Sequence, residues 1–180
     1  MQPNEAHARA QAVFADVLTN VTDEQLELPT PCAKWSVAKL IAHVEGGNQW
    51  VAGLGGRDAI ELPADRVAAH AATSAEAQSV FDADEGMTRM FDLPFGTLPG
   101  AVFAMIRAGD VYTHSWDLAS AIGVPTDLDS ELGEAVFAAT SPFLGDSLRG
   151  EGRPFGQAQP CADNRPIAER MAAFLGRTVS

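Results

Sequence analysis

The stretch that most constrains the fold runs from Gly100 to Gly123, uninterrupted by proline and closed by a glycine with Pro125 shortly after. Glycine just past a helix end, followed by proline, is the usual stop signal, so the sequence predicts one long helix with well-marked boundaries. Phe103, Ile106, Asp110, Thr113, Trp116 and Asp117 fall on or near one stripe of it, with His114 beside Asp110. A helix advances about 100° per residue, so a carboxylate and an imidazole four positions apart lie one above the other. Two ligands can therefore meet one ion, although the same spacing also makes an ordinary helix-surface pair. Burial separates the two readings: an ionised carboxylate in a core is costly unless paired or bound to a cation, whereas a solvent-facing one needs no partner. Asp117, one turn beyond His114, is placed either to orient that imidazole or to be an exposed acid.

A third ligand has to come from another segment. Asn4 to Asn20 reads as a first helix on the apolar spacing of Ala10, Val13, Phe14, Val17 and Leu18, with His7 on the edge of the stripe as a packing or surface residue. A short helical turn over Val21 to Leu28 ends at Pro29-Thr30-Pro31. Ser36 then caps a second helix through Leu54, with Val37, Leu40, Ile41, Val44, Asn48 and Val51 at core spacing. His43 lies beside that stripe, a candidate to meet Asp110 and His114 or else a hydrogen-bonded core histidine. Gly46-Gly47 inside the same helix costs of order 1 kcal/mol per glycine relative to alanine, which hints at close packing or room for a ligand.

Residues 53–72 read as a long connection, with His70 in it or at the start of the next helix, solvated or overhanging a pocket. A third helix is expected from Thr73 or Ser74 to Met90, with Ala77, Val80, Phe81, Ala83, Asp84 and Met87 inward. Two prolines and two glycines break the segment 91–100, which is extended or a small hairpin. After the long helix, 129–148 is helical but weakened by Pro142 and Gly145, 149–163 is loop, and Arg165 to Leu175 is a last helix ending at Gly176. Several helices, no firm strand and one inward polar cluster predict an all-α bundle whose core carries the site. The chain reads as a single domain over 1–180, with the tail 149–180 packed on it.

The 180 residues carry a net charge of -12. That charge repels a phosphate backbone and an anionic membrane surface, so neither nucleic acid nor membrane is an expected partner. No stretch approaches the roughly 20 apolar residues of a membrane span, and Met-Gln-Pro-Asn-Glu lacks the features of a signal peptide, so a cytoplasmic location is expected. Cys32 and Cys161 show no metal-ligand spacing with each other and read as reduced thiols.

Three segments, in order, resemble one family. Thr30-Pro31-Cys32-Ala33-Lys34-Trp35-Ser36-Val37 leading into Leu40-Ile41-Ala42-His43-Val44-Glu45-Gly46-Gly47-Asn48 resembles the first metal-ligand helix of the mycothiol-dependent maleylpyruvate isomerase-like proteins, which belong to the DinB/YfiT-like superfamily. Arg107-Ala108-Gly109-Asp110-Val111-Tyr112-Thr113-His114-Ser115-Trp116-Asp117-Leu118-Ala119 resembles their second ligand helix. Phe155-Gly156 with Ala168 to Arg177 is similar to the ending of a single-domain actinobacterial branch. The resemblance implies a four-helix bundle with a long crossover connection, extra C-terminal helices and a short hairpin near 91–99. It also implies that His43, Asp110 and His114 bind a divalent metal, zinc or nickel.

Two imidazoles and a carboxylate suit a catalytic zinc with a fourth position left open, and they also suit ferrous iron. In the family such a site serves transfer or addition of a low-molecular-weight thiol, mycothiol, to an electrophile. This chain is thus expected to be a metal-assisted thiol S-transferase acting on small electrophiles. Asp117 would support His114, and Tyr112, Asn48 or Arg107 would contact substrate; Arg107 equally suits pairing with an acid on a neighbouring helix. Cys32 would line the pocket without ligating.

Two features depart from the family. Only a short tail follows the bundle where maleylpyruvate isomerases carry a second domain, so that particular isomerisation is not expected. The carboxylate is Asp rather than the Glu of some relatives, which shortens its reach. The alternative reading is a non-catalytic metal-binding bundle that binds a small ligand or a protein partner, and a further one is a helical domain without metal. Kinship also allows a homodimer.

Overall fold

The computed structural model describes residues 1–32 and 34–179; Ala33, inside the loop motif quoted above, and Ser180 lie outside them. Among the described residues the chain is mostly helical with one two-stranded hairpin. Helix α1 spans Pro3–Leu18, α2 Val37–Leu54, α3 Arg66–Phe81, α4 Gly100–Ile122, α5 Ser130–Thr140 and α6 Ile167–Phe174. Strands β1 (Met90–Leu93) and β2 (Gly96–Pro99) pair antiparallel, Met90 opposite Pro99 and Leu93 opposite Gly96. The break at 91–100 is therefore a hairpin, as the turn residues allowed. No described helix is long and apolar enough to cross a membrane.

Helices α2 and α4 carry the cap residues that the sequence places at their ends. Ser36 caps α2, its side chain accepting from the Lys39 N–H, and Gly123 closes α4 in the left-handed conformation at φ 74°. Helix α3 corrects the sequence reading. It starts at Arg66 rather than at residue 73 or 74, because the Asp65 carboxylate accepts from the Ala68 N–H at 2.8 Å and caps it there. The connection before it is correspondingly shorter. The helix stops at Phe81, so Ala83 and Asp84, expected inward, are exposed on the turn that follows. His70 consequently lies in mid-helix and is buried, not solvated.

Helix α1 packs along α4, α2 packs on α3, and α5 and α6 close the far side of α4. The apolar core is divided in two. The larger cluster joins α1, the first half of α2 and the later turns of α4 to α5 and α6 through residues such as Phe14, Leu40, Val44, Tyr112, Leu118 and Met171. The smaller one joins Val51, Phe81, Phe91, Leu93 and Phe103 beneath the hairpin. Between them runs a belt of buried polar side chains. Gln11 and Asn48 exchange two hydrogen bonds, at 2.7 and 3.1 Å. His7 Nδ1 meets Gln78 Oε1 at 2.7 Å, its Nε2 meets Gln11 Nε2 at 3.1 Å, and His70 Nε2 meets the Gln11 carbonyl at 3.1 Å. Every member sits at an interior position of a helix and makes at least one hydrogen bond within the belt, which is what lets polar groups lie between the two apolar clusters.

Burial holds the belt histidines neutral. It lowers the His7 pKa from 6.5 to about 4, against the opposing hydrogen bond to Gln78, and it lowers that of His70 against the bond to the Gln11 carbonyl. The unfolded chain therefore takes up protons on both residues at a pH where the folded chain does not. Stability carried by the neutral rings is complete above the unfolded value and declines as pH falls below it, by up to about 1.4 kcal/mol per pH unit for each histidine. Urea unfolding between pH 7 and 5 is expected to show a shallower loss of stability in His7→Gln than in the unsubstituted chain. Parallel curves would place the acid sensitivity elsewhere.

Candidate metal centre

Helices α2 and α4 carry the three expected residues to one place. The ligand atoms of His43, Asp110 and His114 all lie within 4.8 Å of one another. His43 Nε2 is 3.4 Å from Asp110 Oδ2, and His114 Nε2 is 3.5 Å from Asp110 Oδ1, so each carboxylate oxygen faces one imidazole. The His114 side chain is 7% exposed, while those of His43 and Asp110 are 36% and 31% exposed, which gives the cluster a buried floor and an open rim. Asp110 and His114 are thus not the solvated helix-surface pair that their spacing alone permits. Trp35 packs over both imidazoles, with ring centroids 4.6 Å from His43 and 5.4 Å from His114.

The surroundings fix the ring of His114. Its Nδ1 lies 3.0 Å from Asp117 Oδ2, which directs Nε2 toward Asp110 and His43. Asp117 is fully buried and is itself held from the C-terminal tail: Arg177 donates through Nε to Oδ1 at 3.1 Å and through Nη2 to Oδ2 at 2.8 Å. Asp117 therefore has the orienting role that its spacing suggested. Arg177 was not legible as a partner, because sixty positions separate it from Asp117 and only the tail's packing brings them together.

The electrostatics favour charge at this cluster. Burial alone would raise the pKa of Asp110, but the Arg107 and His114 charges and the contacts with both histidines outweigh it and hold the carboxyl well below its usual range. Burial likewise lowers that of His114, yet the Asp110 charge and the bonds to Asp110 and Asp117 raise it to about 9. Without a cation, the cluster holds a proton on His114 in the place where a metal would sit.

Three sequence expectations are corrected here. Arg107 pairs with Asp110 on its own helix, at 2.8 Å, not with a neighbouring helix. Asn48 is spent in the polar belt, and Tyr112 is buried on the other side of α4, its hydroxyl donating to the Asp129 carbonyl at 3.0 Å. Neither reaches the cluster. Cys32 does come close: its sulfur forms a second group with His114 and Asp117 within 4.8 Å. That set suits a cation poorly, since Arg177 occupies both oxygens of Asp117 and burial raises the Cys32 pKa, keeping the thiol protonated.

The first set fits a divalent metal. His43 Nε2 is buried without a hydrogen-bond partner, although it faces a carboxylate, and such an orphaned nitrogen is free to ligate a cation. Two imidazole nitrogens and one carboxylate, with an orienting acid behind one imidazole, form a donor set common to zinc sites.

A mostly helical protein with two histidines and an aspartate converging from two helices is the class that fold and site define. Residues 7–93 match the family described as the mycothiol maleylpyruvate isomerase N-terminal domain, a span that includes His43 and ends before Asp110. The chain belongs to this family. It is 49% identical over 182 residues to the uncharacterized protein Rv0738 of Mycobacterium tuberculosis (strain H37Rv), covering 99% of this chain and 100% of that one. The same identity and coverage hold for the uncharacterized protein MT0763 of Mycobacterium tuberculosis (strain CDC 1551 / Oshkosh). No solved structure matches the chain.

Gly47 explains the glycine pair in α2. A Cβ there would lie 2.7 Å from Arg107 Cζ and 2.8 Å from Nη1, and nearer still to Nη2, whereas at Gly46 nothing lies within 4 Å. Arginine is flexible, but this guanidinium is buried and tied to Asp110, so moving it disturbs the cluster. Gly47→Ala is expected to destabilise the protein by about 1–3 kcal/mol through overpacking. Gly46→Ala should be neutral or stabilising by up to about 1 kcal/mol. Urea denaturation of the two variants gives the comparison, and equal effects would remove the role assigned to Gly47.

Proposed function

We propose that His43, Asp110 and His114 hold a divalent metal, zinc or nickel, and that the site transfers a low-molecular-weight thiol, mycothiol, onto a small electrophile. On this reading α1 to α4 are the four-helix bundle of a single domain on which residues 149–180 pack. The observation that carries the proposal is the convergence of three ligand atoms from two helices around an unpartnered His43 Nε2. The match of residues 7–93 to a mycothiol-related family supports the choice of thiol.

A bound divalent metal supplies Lewis acidity, lowering the pKa of a thiol brought to it so that the nucleophile is present at neutral pH. The chain's own residues supply position. Asp117 accepts from His114 Nδ1–H and leaves the Nε2 lone pair for the cation, while Arg177 holds Asp117 in place. Arg107 keeps Asp110 ionised at the rim. Trp35 forms an aromatic wall against both imidazoles. The partial exposure of His43 and Asp110 supports an accessible site over a closed, purely structural one.

Elemental analysis of protein purified without an affinity tag is expected to find about one metal per chain, with none in His43→Ala or His114→Ala and an undiminished content in Cys32→Ser. Asp117→Asn should weaken metal affinity by about 10–100-fold, the usual effect of losing an acid that orients a ligand histidine. Metal retained in both histidine variants would remove the site. Conjugation of mycothiol to an electrophile such as monobromobimane by the loaded protein, lost in His114→Ala, then tests the reaction.

A further inference from the structure

The chain leaving α6 is turned back onto α4. Gly176, at φ 95°, makes the turn and passes over Gly156, where a Cβ on Gly176 would lie 2.5 Å from the Gly156 Cα. Arg149 braces the same turn, donating to the Phe174 carbonyl at 2.5 Å and to the Gly156 carbonyl at 3.3 Å, with its guanidinium 4.3 Å over the Phe174 ring. The Gly176 and Arg177 N–H groups each bond back at 3.0 Å, to the Ala173 and Ala172 carbonyls. Past the turn the Arg177 side chain is 10% exposed, Thr178 is exposed, and Val179 rests on the larger apolar cluster. Residues 177–179 thus form a strap laid against the bundle. Among the described residues, its polar tie to α4 is the pair of Arg177 with Asp117.

That pair sits where it can act on the metal centre. The Asp117 carboxylate meets His114 Nδ1 on one side and Nε and Nη2 of Arg177 on the other. Two of these three contacts therefore come from the strap. With the strap lifted, a fully buried carboxylate would keep a single partner, and such a group is driven toward water or toward another partner. Its Oδ2 then no longer holds His114 with Nε2 directed at Asp110 and His43. The converse holds as well: a cation that fixes His114 also fixes Asp117 in the place where Arg177 meets it. Two events that favour the same arrangement of one group are coupled, and the coupling is reciprocal. A short segment beyond an eight-residue helix opens locally at lower cost than the core, so the strap has an open state whose population a ligand can shift.

We propose that residues 177–179 are a metal-coupled strap. Arg177 is a positioning residue that acts through Asp117 to aim His114 at a divalent cation, and the bound cation in turn holds the strap closed. This inference rests on the metal reading above and adds a control on occupancy: whatever lifts the strap lowers the affinity for the metal. It does not depend on the thiol chemistry.

The test combines amide hydrogen exchange of the full chain, with and without zinc(II), and zinc affinity measured by competition with a chromophoric chelator. Zinc is expected to slow exchange of the Gly176 and Arg177 amides about tenfold, and to leave it unchanged in His43→Ala, which loses a ligand without touching the strap. Arg177→Gln should bind zinc about tenfold more weakly, the lower end of the effect of losing an outer partner of a ligand histidine. Arg177→Lys should recover part of the affinity, since it keeps the charge but not the two-nitrogen edge. Zinc bound with no change in strap exchange would overturn the strap and leave the metal reading intact. So would an affinity that is unchanged or tighter in Arg177→Gln, or a zinc effect on the strap that persists in His43→Ala, which would place the cation elsewhere. No zinc bound by the unsubstituted protein would overturn the metal reading, and the strap with it. The exchange comparison needs no Arg177 variant, so it holds should Arg177→Gln fail to fold.

Discussion

The candidate centre depends on two carboxylates on one helix, Asp117 fully buried and Asp110 partly exposed, each neutralised by an arginine. Asp110 is held by Arg107 and Asp117 by Arg177. Unpaired, either would have to give up its charge or destabilise the core. The pairings differ in what they leave over. Arg177 engages both oxygens of Asp117, which therefore has nothing left but its contact with His114. Arg107 uses one nitrogen on one oxygen of Asp110, so that carboxylate stays ionised with free lone pairs facing two imidazoles. One acid thus orients and the other is available to ligate, although both lie on the same helix seven residues apart.

The polar belt explains how two helices hold such a site in register. Along α2 the core side chains pass from Leu40 and Val44 through Asn48 to Val51, and along α4 from Phe103 and Ala104 through Arg107 to Ala108 and Val111. Each helix therefore crosses from one apolar cluster to the other at the same level. Sliding α2 by a turn would pull Asn48 off Gln11 and bury unpaired amides, which makes the register costly to change. His43 and Asp110 lie about one turn beyond that level, and so their facing positions follow from it.

Much of this was legible in the sequence, wherever the signal is local. Ser36, Gly123 and the spacing of Asp110 and His114 act within one or two turns, and the helices built from them begin and end as their caps indicate. The start of α3 was missed for a related reason: Asp65 is an ordinary cap, but the apolar spacing after it is weak, since Ala69, His70 and Thr73 make a buried face with little hydrophobic contrast. The same weakness hid the burial of His70. What no local pattern encodes is tertiary: Arg177 reaching Asp117 from the tail, and the contact of Arg107 with Gly47 across two helices. The glycine pair did carry a signal, an unexplained helix cost, but its cause lies on another helix.

Asp110 depends on the same close approach of the two helices. Its short side chain already spans the gap between the helices, Oδ2 lying 3.4 Å from His43 Nε2 on α2. The helices can come this near because Gly47 presents no side chain, letting the backbone of α2 rest on the Arg107 guanidinium. A larger residue at 47 would push the helices apart and strand the short carboxylate. The bare Cα of Gly47 and the short reach of Asp110 are therefore matched parts of one close contact between α2 and α4.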